Sequence, residues 1–111
     1  MRRGEVWWAR LPDPAGRRPV VLVSRDEAYA VLTGVTVAEV TTTIRGIRSE
    51  VPLGRQEGLR ARSVANTDNL QTIPKRLLVE RIGRLDAEKL DRLAGAIAYS
   101  LALPPPAQAL T

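Results

Sequence analysis

The chain has 111 residues, a formal net charge of +5 and a pI of about 10.7. It contains no cysteine and no histidine. This composition excludes disulfides, thiolate catalysis, histidine metal sites and histidine acid–base pairs. The length predicts a single domain over residues 1–111, and the basic charge favours a polyanion such as nucleic acid as partner.

The sequence also predicts where the protein acts and what it lacks. No apolar run approaches the roughly 20 residues of a transmembrane helix, and no signal-peptide pattern follows Met1–Arg3. We therefore expect a cytoplasmic protein without membrane association. The acidic residues are scattered along the chain, so we expect no metal site, and we expect no cofactor.

The first two predicted strands form a hairpin near the N-terminus. β propensity predicts a strand over Glu5–Leu11, and the turn-rich stretch Pro12–Arg17 connects it to the next strand. Val20–Ser24 begins with four apolar residues, which indicates a central strand buried on both faces. Pro19 keeps Arg18 extended at the entrance of this strand. A rigidly held arginine suits an anion site, although a plain surface arginine explains the residue equally well.

The middle of the chain is typical of short strands between loops. Val35–Thr43 predicts a third strand, after a short helical or irregular link at Arg25–Leu32. Pro52 suits a sheet edge, so Glu50–Leu53 is predicted to be an edge strand. A loop is predicted at Ile44–Ser49 and a surface loop at Gly54–Arg62. A short strand is predicted at Ser63–Asn66, a polar turn at Thr67–Pro74 and a final strand at Val79–Leu85.

A helix is predicted near the C-terminus. Asp86 suits its N-cap, and one apolar stripe follows, formed by Leu90, Leu93, Ala94, Ile97 and Leu101. Proline ends the helix, and residues 104–111 are predicted to be a frayed, proline-rich tail. Many short strands followed by one helix predict a mainly β protein, a small twisted β-barrel with one C-terminal α-helix packed on it.

Polar residues at two strand ends are the candidates for chemistry. Arg18 begins the second strand, and Thr41–Thr43 end the third. If these strands pair antiparallel, a guanidinium lies beside a hydroxyl, an arrangement that suits a phosphate. An ordinary strand end also explains the threonines. Asp68, Asn69 and Gln71 can read base edges, and turn chemistry also explains them.

Five stretches carry a resemblance that extends from Arg2 to Leu103. They are RRGEVWWARL, GRRPVVLVS, VTVAEVTTT, SVANTDNLQTI and RIGRLDAEKLDRLAGAIAYSLAL. In this order they resemble the MazF/PemK family of toxin endoribonucleases. The resemblance implies a CcdB/MazF-like, SH3-type barrel acting as a homodimer. It also implies sequence-selective, metal-independent cleavage of single-stranded RNA. With the ribose 2′-hydroxyl as nucleophile, such cleavage leaves 2′,3′-cyclic phosphate and 5′-hydroxyl ends.

The resemblance also implies roles for individual residues. Arg18 occupies the position of the catalytic arginine, and Thr41 that of the threonine closing the V-x-x-V/I-T motif. Thr42 and Thr43 leave that assignment open by one or two places. Asp68 falls at an acidic position that some members use for RNA contact or catalysis. The predicted RNA-binding residues are Arg17, Thr42, Thr43, Arg45, Arg48, Asn66, Asn69 and Gln71. Arg60 and Arg62 are further candidates for phosphate contacts, or simply solvated charge.

The expected partners follow from the same resemblance. They are single-stranded RNA such as mRNA, a MazE-like acidic antitoxin and a second copy of the chain, with operator DNA bound only by the toxin–antitoxin complex. The stretch Pro12–Arg17 is shorter than the corresponding loop in many family members, so contacts credited to that loop are not carried over.

Two other functions remain open. One is a CcdB-like, non-enzymatic toxin that binds a DNA topoisomerase, since the fold alone does not separate the two activities. The other is a peptide-binding SH3-type module, for which the aromatic residues Trp7, Trp8, Tyr29 and Tyr99 provide little groove.

Overall fold

The computed structural model describes residues 1–104, which form a curled six-stranded sheet and flanking helices. The strands are β1 (Glu5–Arg10), β2 (Arg17–Leu22), β3 (Gly34–Thr41), β4 (Glu50–Leu53), β5 (Ser63–Pro74) and β6 (Leu78–Arg84). Their order is β4-β5-β3-β2-β1-β6, and each neighbouring pair is antiparallel. The described residues also contain helices α1 (Ala28–Val31) and α2 (Ala87–Ser100) and 3-10 turns at Arg55–Glu57 and Lys75–Leu77.

The predicted fold class, mainly β with a C-terminal helix, is confirmed by this arrangement. The short helix α1 falls in the link that was predicted to be helical or irregular. The predicted tail lies outside the described residues from position 105 onward. None of the helices within residues 1–104 is long and apolar enough to cross a membrane.

The N-terminal hairpin brings the start of β2 beside the end of β3. β1 and β2 pair with Trp8 opposite Pro19. On its other side β2 pairs with β3, where Val20 lies opposite Glu39. The central strand is buried as predicted, since Val20, Val21 and Leu22 are fully inaccessible to solvent. Because β2 and β3 are antiparallel, their polar ends meet at one end of the sheet.

β5 is longer than predicted. Thr67–Pro74 was predicted to be a polar turn, and this prediction is wrong because β5 continues to Pro74. Residues 70–74 pair with residues 38–34 of β3, so ladder hydrogen bonds outweigh the local turn propensity. The register then shifts: Ala38 pairs with Leu70, but the next residue, Glu39, pairs with Asn66. Residues 67–69 of β5 therefore have no partner in β3. Such an irregularity re-aims the side chains around it.

A 3-10 turn lies within the segment predicted as a surface loop. At its end, Glu57 is only 2% exposed. The Glu57 carboxylate accepts hydrogen bonds from the Gly54 backbone N–H at 2.7 Å and from Lys89 Nζ at 2.8 Å. A Cβ atom at Gly83 would overlap the Glu57 carbonyl oxygen. The surface-loop prediction is therefore wrong for this part, because the turn packs against β6 and closes the gap between the two edges of the sheet.

α2 covers one face of the sheet. Asp86 caps the helix as predicted, with its Oδ1 accepting a hydrogen bond from the Lys89 N–H at 2.9 Å. Leu93 and Ala96 pack in the cluster on this face, with Leu90 and Ile97 against its margin. Leu101 is 54% exposed, so the apolar stripe ends before it, where the helix ends at Ser100.

The opposite face of the sheet has its own apolar cluster. It includes Val20, Leu22, Tyr29, Val35 and Val37. Side chains alternate between faces along a strand, so the next two residues of β3 on this face are Glu39 and Thr41. The face therefore begins as an apolar core and ends in polar side chains.

Candidate active site

Arg18 and Thr41 line one open cavity of about 240 Å³ at the polar end of the sheet. Arg18 is the second residue of β2, and Thr41 is the last residue of β3. The other lining residues are Glu39, Thr43, Arg45, Glu50, Asn66 and Asn69. The antiparallel pairing thus places the predicted guanidinium and hydroxyl in one site, as the prediction from the two strand ends requires.

Glu39 contacts three side chains at this cavity. Its Oε1 lies 3.4 Å from Arg18 Nε. Its Oε2 accepts hydrogen bonds from Asn69 Nδ2 at 2.8 Å and from Gln71 Nε2 at 2.9 Å. The side chain of Glu39 is 15% exposed and that of Arg18 is 37% exposed, so the pair is only partly screened by water. These contacts connect β2, β3 and β5 and hold the arginine at the cavity.

The threonine run divides between two cavities. Thr41 and Thr43 line the Arg18 cavity, whereas Thr42 lines a second cavity. Thr41 Oγ1 accepts a hydrogen bond from the Thr43 backbone N–H at 3.1 Å. This contact uses the oxygen as an acceptor and leaves the hydroxyl proton available for donation. The geometry is compatible with the assignment of Thr41 and sets Thr42 apart.

Glu50 shapes the loop that follows β3. It is 7% exposed. Its carboxylate accepts hydrogen bonds from the backbone N–H groups of Arg45, at 3.0 and 3.3 Å, and of Gly46, at 2.9 Å. These bonds bring Arg45 to the cavity. Arg48, by contrast, stacks on the ring of Tyr99, with its guanidinium carbon 4.4 Å from the ring centroid, and lines a different cavity.

Asp68 lies apart from the Arg18 cavity. Its Oδ2 accepts a hydrogen bond from Ser49 Oγ at 2.6 Å, and its backbone N–H donates to Asn66 Oδ1 at 3.0 Å. Asp68 belongs to the three residues at which the register of β5 shifts. The carboxylate is therefore bound to the loop before β4, while Asn66 remains among the residues that line the cavity.

A second, larger cavity of about 720 Å³ carries other predicted RNA-binding residues. Arg17 and Arg60 line it together with Trp8 and Thr42. The guanidinium carbon of Arg17 lies 4.7 Å from the Trp8 ring centroid, and Arg17 Nη2 lies 3.5 Å from Glu80 Oε2. Arg17, Pro19 and Thr42 alternate along their strands with Arg18 and Thr41, so this cavity lies on the other face of the sheet from the Arg18 cavity.

Sequence reasoning missed Glu39 and Glu50. A signal for Glu39 was present, since its position two residues after Val37 and two before Thr41 places all three on one face. Glu50 carried no such signal, because its role depends on how the loop after β3 folds back. Within residues 1–104 there is no group of three or more acidic, histidine or cysteine side chains close enough to hold a metal ion.

Two titratable groups outside the cavity have shifted pKa values. Burial raises the pKa of Tyr29 to about 12. The Tyr29 hydroxyl donates to the Ser24 carbonyl oxygen at 3.1 Å. Burial also acts to raise the pKa of Glu5, but hydrogen bonds from Trp7 and the backbone, with the charge of Arg81, outweigh it and leave the pKa below its ordinary value.

The fold and the cavity define a small, curled antiparallel β protein with a C-terminal helix on one face of the sheet and an arginine–hydroxyl site on the other. Residues 2–101 match the family described as PemK-like, MazF-like toxin of type II toxin–antitoxin system. The chain belongs to this family, and the predicted family is thereby confirmed.

Individual relatives agree with this assignment. The probable endoribonuclease MazF5 of Mycobacterium tuberculosis is 46% identical over 84 residues, which are 75% of this chain and 76% of the relative. The structure of M. tuberculosis toxin MazF-mt6 is similar with a TM-score of 0.84 at 40% identity, over 90% of this chain and 98% of that one. A mycobacterial endoribonuclease in complex with its cognate antitoxin gives a TM-score of 0.83 at 28% identity, over 96% and 99%. These matches favour the endoribonuclease prediction over the CcdB-like alternative.

Proposed function

We propose that this protein is the toxin endoribonuclease of a type II toxin–antitoxin pair and cleaves single-stranded RNA at the Arg18–Thr41 cavity. The observation that carries the proposal is the shared cavity itself. Two residues from different strands, both matching catalytic positions implied by the family resemblance, line one solvent-open site. Action on mRNA places this activity in the cytoplasm.

The proposed reaction uses the RNA as its own nucleophile. The ribose 2′-hydroxyl attacks the adjacent phosphorus and expels the 5′-oxygen, which leaves a 2′,3′-cyclic phosphate and a 5′-hydroxyl. Negative charge grows on the phosphorane oxygens in the transition state. Arg18 neutralises this charge, and Thr41 donates a supporting hydrogen bond. Neither role requires a metal ion.

Guanidinium groups outside the catalytic pair are the candidates for further phosphate contacts. Arg45 lies at the Arg18 cavity, and Arg17 and Arg60 lie at the second cavity, where they are assigned to phosphates farther along the RNA. Asn66 and Asn69 offer amide groups at the first cavity for contacts with bases. Asp68 lies apart from Arg18, so we assign it an RNA contact at the rim instead of a part in the reaction.

The predicted protein partners fit separate surfaces. The guanidinium groups at the two cavities suit an acidic antitoxin segment that blocks RNA by charge and bulk, and operator DNA is left to the toxin–antitoxin complex. For the homodimer that the family resemblance implies, we propose the patch around Ile47 and Tyr99, which are 44% and 50% exposed. Exposed apolar side chains of this kind favour association with a second copy of the chain. Light scattering of the purified protein measures the molar mass and so tests whether it is a dimer.

The test is cleavage of a mixed-sequence RNA by the purified protein in the presence of EDTA. We expect the wild type to cut and to leave 2′,3′-cyclic phosphate ends. Arg18→Ala should lower the rate by about 10²–10³-fold, the typical cost of losing a transition-state donor. Arg25→Ala is the matched control, because it removes the same charge from an exposed loop residue. Full activity of Arg18→Ala, or cleavage that returns only when a divalent metal is added, would overturn the proposal.

A further inference from the structure

We propose that Glu39 is the general base of this site and takes the proton from the attacking 2′-hydroxyl. The inference rests on the proposed function and deepens it, because a phosphate site made only of arginine and threonine has no group suited to accept a proton near neutral pH. The chain has no histidine to fill this role.

Among the described residues, two carboxylates line the Arg18 cavity, those of Glu39 and Glu50. They differ in the hydrogen bonds that their oxygens accept. Glu50 accepts three backbone contacts from Arg45 and Gly46 and is 7% exposed, so its oxygens already hold the loop in place. Asp68 is bonded to Ser49 and lies outside the cavity. Glu39 is the carboxylate in direct contact with Arg18.

The two oxygens of Glu39 have different surroundings. Oε2 is held by amide donors from Asn69 and Gln71, at 2.8 and 2.9 Å. Oε1 faces Arg18 Nε at 3.4 Å, a longer and weaker contact. The amides thus fix the orientation of the carboxylate, while Oε1 remains beside the guanidinium that receives the phosphate.

This arrangement brings Oε1 to the nucleophile when RNA binds. The 2′-oxygen and the scissile phosphorus belong to the same nucleotide linkage. A phosphate held by Arg18 therefore brings the 2′-hydroxyl to the carboxylate that contacts the same guanidinium. A general base must approach its proton to about 2.6–3.2 Å between heavy atoms. We expect Glu39 Oε1 to reach this distance from the 2′-oxygen in the RNA complex.

The step is balanced without any other reactant. Glu39 Oε1 takes the proton of the 2′-hydroxyl while the O2′–P bond forms and the P–O5′ bond breaks. The leaving 5′-oxygen takes a proton from water, and protonated Glu39 returns its proton to the solvent. No water is consumed overall, and the products are the cyclic phosphate and the 5′-hydroxyl end.

The decisive variant is Glu39→Gln, which keeps the size of the side chain and removes its basic oxygen. We expect kcat for a single-site RNA to fall by about 10²–10⁴-fold, the usual contribution of acid–base catalysis, with little change in KM. Binding of the same RNA with a 2′-deoxy ribose at the cleavage site should stay equal or become tighter, because a negative charge near the phosphate is removed. Glu27→Gln, on the exposed segment before α1, is the charge-matched control.

The pH dependence separates a base from a positioning residue. The charged groups that face Glu39 are Arg18 from β2, Arg45 from the loop after β3 and Glu50 from β4, while Asn69 and Gln71 from β5 do not titrate. We expect the wild-type rate to decline on the acidic side, because a general base acts only in its deprotonated form. Glu39→Gln should lack this decline, and Glu39→Asp should keep it with part of the rate.

The outcomes distinguish this inference from the proposed function. In one outcome, Arg18→Ala is inactive, whereas Glu39→Gln is folded as judged by circular dichroism and cuts at the wild-type rate. The assignment of Glu39 as base is then wrong, and the proposed endoribonuclease function remains valid. If Glu39→Gln instead loses affinity for the 2′-deoxy RNA and keeps the acidic decline, Glu39 only positions Arg18. If Glu39→Gln unfolds, the pH profile of Glu39→Asp decides, since a flat acidic side there overturns the inference. Failure of the wild type to cut any RNA rejects the proposed function itself.

Discussion

One face of the sheet has two halves with opposite character. In the first half, Val35 and Val37 of β3 pack with Val20 and Leu22 of β2 under Tyr29. In the second half the same strands present Glu39, Thr41 and Arg18 to an open cavity. Both halves follow the same alternation along the strands, so the change from core to site needs no change in backbone direction.

The boundary between the halves coincides with the register shift of β5. On the apolar side Ala38 pairs with Leu70, and on the polar side Glu39 pairs with Asn66. The apolar half fixes the strands through burial, and the polar half uses that rigidity to hold charged groups at short distances. A site on paired strands loses little entropy when it binds, because its backbone is already ordered.

Truncation in the apolar half should affect stability and leave chemistry intact. Leu22 is fully buried, so Leu22→Ala should lower the free energy of unfolding by about 2–5 kcal/mol. Urea denaturation followed by tryptophan fluorescence measures this loss. The RNA cleavage rate per folded molecule should remain near that of the wild type. A loss of activity in fully folded Leu22→Ala would show that the two halves are not separable.

The converse change lies in the polar half. Thr41→Val keeps the shape of the side chain and removes the donor, so the cleavage rate should fall by about 10²-fold while stability changes little. Thr33→Val, at an exposed position before β3, is the matched control. Thr41→Ser should recover most of the rate because the hydroxyl returns. A large loss of stability in Thr41→Val with an unchanged rate would contradict the assignment.

A smaller effect is expected for charges at the margin of the polar half. Arg45→Ala should weaken RNA binding and reduce the slope of log affinity against log salt concentration by about 0.7, the value for one phosphate on a single strand. Titration of a labelled, 2′-deoxy-substituted RNA at several salt concentrations measures the slope. An unchanged slope would indicate that Arg45 is solvated when RNA is bound.

The smallest effect concerns Tyr29 in the apolar half. Its pKa is raised from 10.0 to about 12 by burial, so the folded state favours the neutral phenol. The resulting stabilisation is complete below pH 10 and is lost as the pH rises toward 12. Over this pH range, the unfolding free energy of the wild type should therefore fall relative to that of Tyr29→Phe. A constant difference would contradict the buried position of the hydroxyl.

Prediction from sequence succeeded where one physical signal dominated. The apolar run of β2, the proline of the edge strand β4 and the Asp86 cap each depend on local chemistry, and each was placed correctly. The meeting of Arg18 with Thr41 was also predictable, because antiparallel pairing alone dictates it. Their catalytic roles remain predictions.

The sequence was less informative where tertiary contacts decide. Residues 67–74 have turn propensity, but β3 supplies partners for residues 70–74 and so extends β5 beyond the irregularity at residues 67–69. Glu57 is a charged residue in a segment that contains two glycines. Its burial depends on Lys89 of α2, whose Nζ lies 2.8 Å from Glu57 Oε2. The strand alternation placed Glu39 on the face of Thr41, but its contacts with Arg18, Asn69 and Gln71 depend on the pairing of two other strands with β3.

The packing of Gly83 against the carbonyl of Glu57 has a consequence for how the molecule opens. The 3-10 turn at Arg55–Glu57 bridges the two sheet edges by close contact and by the Lys89 ion pair, whereas the strands are joined by backbone ladders. A breathing motion that lifts this turn breaks no interstrand pairing and costs less than global unfolding. Water should therefore first enter the interior here, at the edge remote from β3, and the arginine cavity should keep its geometry while this edge breathes.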